Sequence, residues 1–510
     1  MDRMMTIPEI IKKDAEIFSG KTFASDPDRS ITFDKIYGLS KRYGNFVRER
    51  IGGDESHVRP VAIYSEKSVR LLTMMFASLF SGCFYVVIDP EQPCERINKI
   101  LEVLKPAALI FEDSQRIKTE ELNYDGKKIA FSEIEGCADK SDKGCPGLSV
   151  IKPDSPLYGI FTSGSTGTPK CVLISHRDVV DFIGHFSEIF SFSENDIIGN
   201  QAPFDFDVSV KDIYTSLFTG ACLVLIPREY FSMPAKLIDY LIDNHVTSLT
   251  WAVSAICIIS GMKGFKYKIP AEIRRVMFSG EVMPIKQLRI WQENLPDAMY
   301  VNLYGPTEIT CNCTYYKIPG KYEKDDSLPL GIPFPGREVT IRDSDGNILT
   351  APGSEGEICV SGESLAIGYF HDPEKTAAAF SDMKDTKGQP ARTYHTGDMA
   401  VIEDDGSIRF AGRSDFQIKH MGHRIELEEI ERDIMQIHGV ERCALIFDDK
   451  KKIISSYYTG DIGKKELHVR LKKLLPVYMV PNRFNHICSM PLTKNGKIDR
   501  RKLPDVKTLE

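Results

Sequence analysis

What this 510-residue chain lacks narrows its chemistry before any motif is read. Its 65 Lys+Arg are outnumbered by 72 Asp+Glu, the net charge is −7, and no long basic run occurs. That balance gives no support for nucleic-acid binding. The 12 cysteines include no Cys-x-x-Cys pair; Cys311 and Cys313 are the nearest neighbours, and Cys83, Cys222, Cys257 and Cys359 sit in apolar surroundings. With no secretory signal at the N-terminus, reduced thiols in a cytoplasmic protein are expected. His and Cys never cluster at ligand spacing along the chain, which argues against a zinc site. Repeats and low-complexity tracts are absent, and so is the GxxxxGK[ST] nucleotide loop.

A membrane span is the remaining exclusion. Residues 71–88 (LLTMMFASLFSGCFYVVI) carry no charge and approach spanning length. Gly82 divides them into a helix-like half and a β-rich half, and Asp89-Pro90 follows at once. The expectation is a buried helix leading into a buried strand.

What is present fits a globular enzyme of two to four domains, with 27% charged and 42% hydrophobic residues. Over roughly the first 320 residues, β-rich runs (VAIYS, CFYVVID, AALIFED, ACLVLIP, VTSLTWAV) alternate with helical patterns. This predicts α/β subdomains on largely parallel sheets. From about Leu328 to Arg413 short strands and turns (SDGN, APGSEG, EDDGS) predict a compact β-rich subdomain. The remainder, with a strong helical pattern over residues 426–437, predicts a small α+β domain. The expected division is 1–413 and 414–510, with the boundary near Gly412–Asp415.

Two stretches carry the chemistry. Residues 161–170 read FTSGSTGTPK, a run of hydroxyls and glycines followed by a lysine, suited to surrounding an anion with backbone amides and a cation. Residues 203–212 read PFDFDVSVKD. Phe204, Phe206, Val208 and Val210 alternate with polar residues as in a half-buried strand, while Val210, Ile213, Tyr214 and Leu217 have helical spacing. The pattern predicts a strand or loop entering a helix near Ser209, with Ser209–Asp212 close to a capping box. Asp207 then falls just outside the first turn. Lys211 falls inside it, where the helix dipole disfavours a cation.

TSGSTGTPK resembles the phosphate loop of the adenylate-forming superfamily. The resemblance covers almost the whole chain, through YVVIDPEQP, NQAPFDFDVSVKDIY, NLYGPTE, GEICVSGESLAIGY, YHTGD, GRSDFQIKHMGHRIELEEIE and LTKNGKIDR in that order. Among subfamilies, NQAPFDFDVSVKDIY, FSGEVMP and DFQIK look most like the D-alanine–D-alanyl carrier protein ligases. Stand-alone nonribosomal peptide adenylation enzymes come second. The resemblance implies an acyl-adenylate synthetase fold with a mobile small domain, and ATP and Mg²⁺ as cofactors. It implies activation of an amino acid as aminoacyl-AMP, then transfer to the phosphopantetheine thiol of a separate carrier protein, by a monomer. An acid–CoA ligase is the alternative.

Residue by residue, the resemblance assigns Thr162, Ser163, Gly164, Ser165, Thr166, Gly167 and Lys170 to the β/γ-phosphates. Glu308 would hold Mg²⁺, with Thr307 near the α-phosphate. Gly280, Glu281, Asn302 and Tyr304 would border the adenine, while Asp398 takes the ribose hydroxyls with help from Arg413. Lys497 would reach the substrate carboxylate and α-phosphate. Asp415 would be the hinge, and the 419–424 loop (KHMGHR) would line the pantetheine tunnel in the second half-reaction. Asp207 would pair with the substrate's α-ammonium, in a pocket of Val208, Lys211, Thr250, Met277, Ser279, Leu303, Cys311 and Asn312. Lys211 is a departure, because that position is normally apolar in D-alanine ligases. It is expected either to meet a polar substrate side chain or to pair with Asp207 or Asp212. Cys171 departs from the usual Lys-Gly-Val, and Cys83 replaces a small residue; both are expected to be tolerated.

Overall fold

The computed structural model describes residues 5–52, 57–137, 144–164, 168–323, 327–449, 451–492 and 498–504. Two large sheets dominate. In a nine-stranded sheet, Cys222–Leu225, Ile197–Asn200, Ser248–Ala252, Arg275–Ser279 and Met299–Tyr304 run parallel as successive neighbours. In a seven-stranded sheet, Cys83–Ile88, Arg59–Tyr64, Ala108–Phe111 and Lys127–Ala130 are the parallel centre. Cys83–Ile88 and Ala108–Phe111 are buried along their whole length and read as continuous apolar runs, as strands covered on both faces do. The run at 71–88 forms helix Val69–Phe80 and strand Cys83–Ile88. No helix among the described residues is long and apolar enough to cross a membrane. Gly82 makes the turn between them at φ +86°, and a Cβ there would meet the Gly147 carbonyl at 2.6 Å.

The expected β-rich segment is a six-stranded, mainly antiparallel sheet running from Arg337–Arg342 to Ile408–Arg413. The C-terminal segment builds the hairpin Gln417–His420/His423–Glu426, helix Leu427–Met435 and a three-stranded sheet. It has its own apolar cluster around Ile425, Ile430, Ile434, Leu467 and Leu471.

Stretch 203–212 departs from its expected form. Residues 204–206 are turns rather than a strand, and helix Val208–Thr219 starts one residue early with Asp207 at its N-cap. The capping box does not form, because the Ser209 hydroxyl donates to the Phe206 carbonyl at 2.6 Å. Lys211 does not face solvent; it is 1% exposed. Period-two alternation was misleading here because Phe204 and Val210 are buried by tertiary packing, not by a sheet face.

The Cys171 departure has a local explanation. Cys171 is fully buried beside Gly159 on the paired strand, and a Cβ at Gly159 would lie 2.6 Å from its sulfur. The extra side chain on one strand is accommodated by its absence on the other. Cys83 is buried at the start of its strand. All twelve cysteines are free thiols.

Candidate active site

The hydroxyl-rich stretch 161–170 spans the turn of an antiparallel hairpin, strands Pro156–Thr162 and Lys170–Ser175, inside the short edge strand Gly368–Tyr369 of the seven-stranded sheet. Thr162 and Ser163 project into a cavity of about 110 Å³ between the large sheets and the C-terminal segment. Its wall also includes Asp207, Val208, Ser279, Gly280, Thr307, Cys311, Asp398 and Arg413, drawn from six separate segments. Ser165, Thr166, Gly167 and Lys497 lie outside the described residues.

Glu308, fully inaccessible to solvent, is the electrostatic centre. Its Oε2 accepts from Arg424 at 2.7 Å, its Oε1 accepts from the Tyr369 hydroxyl at 2.8 Å, and Lys170 Nζ lies 3.4 Å away. Burial alone would raise this carboxyl; Arg424, Lys170 and Tyr369 overcome burial and hold it well below the usual carboxylate range. Burial lowers Lys170, with Glu308 opposing the shift.

At the other end, Asp398 accepts from Tyr304 at 2.6 Å on Oδ2 and from Arg413 on Oδ1. Each carboxylate oxygen keeps a further lone pair. Arg413 also holds Asp415 through two parallel bonds of 2.7 Å, which fixes the expected hinge against the wall. Tyr304, Asn302 and Glu281 stand behind the wall. Asn302 donates to the Pro329 carbonyl at 2.9 Å, and Glu281 accepts the Gly422 amide at 2.8 Å.

The part of the wall around Asp207 divides into two layers. Asp207, Val208, Ser279 and Cys311 face the cavity, while Lys211, Thr250, Met277, Leu303 and Asn312 lie behind them, all buried. Lys211 Nζ donates to Asn312 Oδ1 at 2.8 Å and to Ser279 Oγ at 3.3 Å. Among the described residues no carboxylate comes within 4.0 Å of it, so the expected pairing with Asp207 or Asp212 is not made. Asp212 instead accepts from Asn200 at 2.9 Å. Burial lowers Lys211, with Cys311, Asp207 and Asp212 opposing. Burial likewise raises Asp207, against Lys211 and a Thr307 hydrogen bond.

The C-terminal segment contributes more than its motifs foretold. The 419–424 loop enters the cavity: Lys419 lies 5.5 Å from the Tyr304 ring centroid, and Gly422 and Arg424 line the wall. Gly422 has φ +80°, and a Cβ there would sit 3.2 Å from Ala252 Cβ. Ser163 donates to the Arg424 carbonyl at 3.0 Å and accepts the Glu426 amide at 3.2 Å, while Arg432 donates to the Gly164 carbonyl. Lys419 and Arg424 had no individual role in the sequence reading. Their only signal was a cationic loop in KHMGHR, which could equally have been solvated.

Away from the cavity, Glu357, Cys359 and His395 gather on one sheet face with ligand atoms within 4.8 Å of one another. Cys359 is the cross-strand partner of His395, a proximity that spacing along the chain could not reveal. His395 also bonds Ser381 at 2.8 Å.

With the fold and the cavity described, the chain can be set beside known proteins. The family model described as AMP-binding enzyme matches residues 11–370. The chain belongs to this family. It is 32% identical over 502 residues to the D-alanine–D-alanyl carrier protein ligase of Listeria monocytogenes, covering 93% of each chain. It is 31% identical over 505 residues to surfactin synthase subunit 1 of Bacillus subtilis, covering 98% of this chain and 14% of that one. In fold it is similar to an artificially fused adenylation–PCP di-domain from Klebsiella oxytoca, with a TM-score of 0.83, 23% identity and 94% of each chain covered.

Proposed function

We propose that this AMP-binding family member activates an α-amino acid with ATP as an aminoacyl-adenylate and passes it to the phosphopantetheine thiol of a separate carrier protein. The observation that carries this reading is Asp207, a cavity-wall carboxylate with no cation in ion-pair range among the described residues. A substrate ammonium supplies the missing charge at a position where burial disfavours an unpaired carboxylate. Similarity to a D-alanine–D-alanyl carrier protein ligase supports the class of acceptor.

The residues divide the work. Thr162, whose buried hydroxyl has no partner among the described residues, and Lys170 receive phosphate oxygens. Asp398 and Arg413 hold the ribose. Glu308 suits Mg²⁺, which supplies charge neutralisation at the phosphates when bound, but the fit requires Arg424 to withdraw. With Ser163 and Gly164 bonded to the C-terminal segment, this arrangement belongs to the second half-reaction, after pyrophosphate has left. The domain division at 413/414, with Asp415 as pivot, is part of the same reading. Lys497 would act in the alternative arrangement.

Lys211 narrows the substrate. Among the described residues this buried ammonium is held by one amide and one hydroxyl, which leaves a donor unused and no carboxylate within ion-pair range. Its natural complement is an acidic or amide side chain reaching between Ser279 and Cys311. ATP–pyrophosphate exchange across D- and L-amino acids tests this. The expected result is a preference for a polar side chain that Lys211→Met reduces by about tenfold or more. Activation of alanine alone, unchanged by the substitution, would remove the polar-pocket reading.

A further inference from the structure

One lobe of the cavity is used by neither the nucleotide nor the amino acid. It is bounded by Gln92 and Arg96 near the start of helix Cys94–Leu104, by Asp205 and Phe206, and by His423, Tyr478 and Met479 from the C-terminal segment. Its aromatic wall is ordered: His423 stacks on Tyr478 at 3.4 Å and meets the edge of Phe206 at 4.5 Å. Four polar atoms on this lobe, Gln92 Oε1, Arg96 Nε, Asp205 Oδ1 and His423 Nδ1, are buried without a partner among the described residues. Each such atom is destabilising unless a ligand or water completes it. Four around one lobe point to a polar visitor. The lobe lies between the two segments beside the 419–424 loop.

Asp205 differs from the other three. Gln92 Nε2 fixes its Oδ2 at 3.2 Å, while Oδ1 is buried without a partner among the described residues. Resting on the function proposed above, we propose that Asp205 is the proton acceptor for the carrier's thiol in the second half-reaction. The thiol proton passes to Oδ1 as the sulfur lone pair forms the C–S bond to the acyl carbon. The C–O bond to AMP breaks, its electron pair leaves on the phosphate oxygen, and Asp205 later returns its proton to solvent.

The surroundings suit that task. Burial and the nearby Asp89 raise the Asp205 carboxyl to about 7, with Gln92 and Arg228 opposing. Arg228 is itself engaged by Glu91 and by Asp89, the latter at 3.5 Å. Arg96 is taken by Glu429 at 2.8 Å. His423 is pushed down to about 3 by burial, with Arg228, His420 and Arg96 adding to it, and is a poor base at neutral pH. Burial raises Tyr478 to about 12, so it stays protonated. Asp205 alone among these groups exchanges a proton near the working pH of a general base.

The test separates the half-reactions in the full chain. The acyl-adenylate is formed first with ATP, Mg²⁺ and the amino acid selected by exchange, and free pantetheine is then added as the thiol probe. AMP release is followed by rapid quench from pH 6 to 9.5. The wild type should rise through an apparent pKa near 7. Asp205→Asn and Asp205→Ser should be slower by about 10²-fold at pH 7. Both should approach the wild type as the thiol ionises by itself above its ordinary value of about 8.5. A loss equal at every pH would mark an arm-binding role and overturn the proposal, as would an unchanged profile. Exchange measured on the same preparations reports the first half-reaction; its absence with every amino acid would overturn the underlying function instead.

Discussion

Glu308 and Arg424 form the pair on which the site turns. A carboxylate with no solvent exposure requires cations, and here Lys170 at 3.4 Å supplies one while Arg424 of the C-terminal segment, at 2.7 Å, supplies the nearer. Removing one member of a buried pair typically costs about 3–5 kcal/mol because the other charge is stranded. That penalty applies only while the segment is docked. Arg424→Ala should therefore slow thioester formation by about 10²-fold while changing ATP–pyrophosphate exchange by less than about threefold. Rapid-quench measurement of the two half-reactions checks this, and an equal loss in both would show that Arg424 serves adenylation as well.

At the scale of elements, the helix Ile7–Ile17 shows how a distant segment fixes a terminus. Besides its local capping box from Thr6 and Glu9, its first amide, Ile7 N–H, donates to Nδ1 of His176 at 3.2 Å. His176 is fully buried, and burial pushes it down to about 3 from 6.5. Between those values the unfolded chain binds a proton that the folded chain refuses. Stability from His176 is thus full above about 6.5 and is lost progressively as pH falls toward 3. In thermal melts, His176→Asn should destabilise the protein at pH 7 and flatten its acid loss between pH 6.5 and 4. A mutant melting curve parallel to the wild type over that range would rule this out. Helix Val69–Phe80 and strand Cys83–Ile88 were legible because length, glycine and β-branching agreed. Helix Val208–Thr219 was legible from near Ser209 onward, one residue late, since the preceding phenylalanines lie in turns and not in a strand. The two layers around Asp207 were not legible at all: motif position named Lys211 and Ser279 together, but only packing puts one behind the other.

At the scale of the whole molecule, the C-terminal segment is held by contacts distributed across the cleft. Arg96 pairs with Glu429 at 2.8 Å, Lys99 with Asp433 at 3.6 Å, and Lys452 with Glu281 at 3.9 Å. Ser163 and Gly164, assigned to phosphate, are bonded to the same segment. The motif order along the chain foretold a two-part enzyme, but not that Ser163 and Gly164 would bond the C-terminal segment. The central claim is that this cleft activates acids bearing an α-ammonium, held by Asp207. It is tested most directly by ATP–pyrophosphate exchange with an amino acid and its des-amino analogue, in wild type and Asp207→Ala. The account predicts exchange with the amino acid alone, and a fall of about 10²–10³-fold on substitution, as for removal of one partner of a buried charge pair. Exchange sustained by the des-amino acid and indifferent to Asp207→Ala would contradict it.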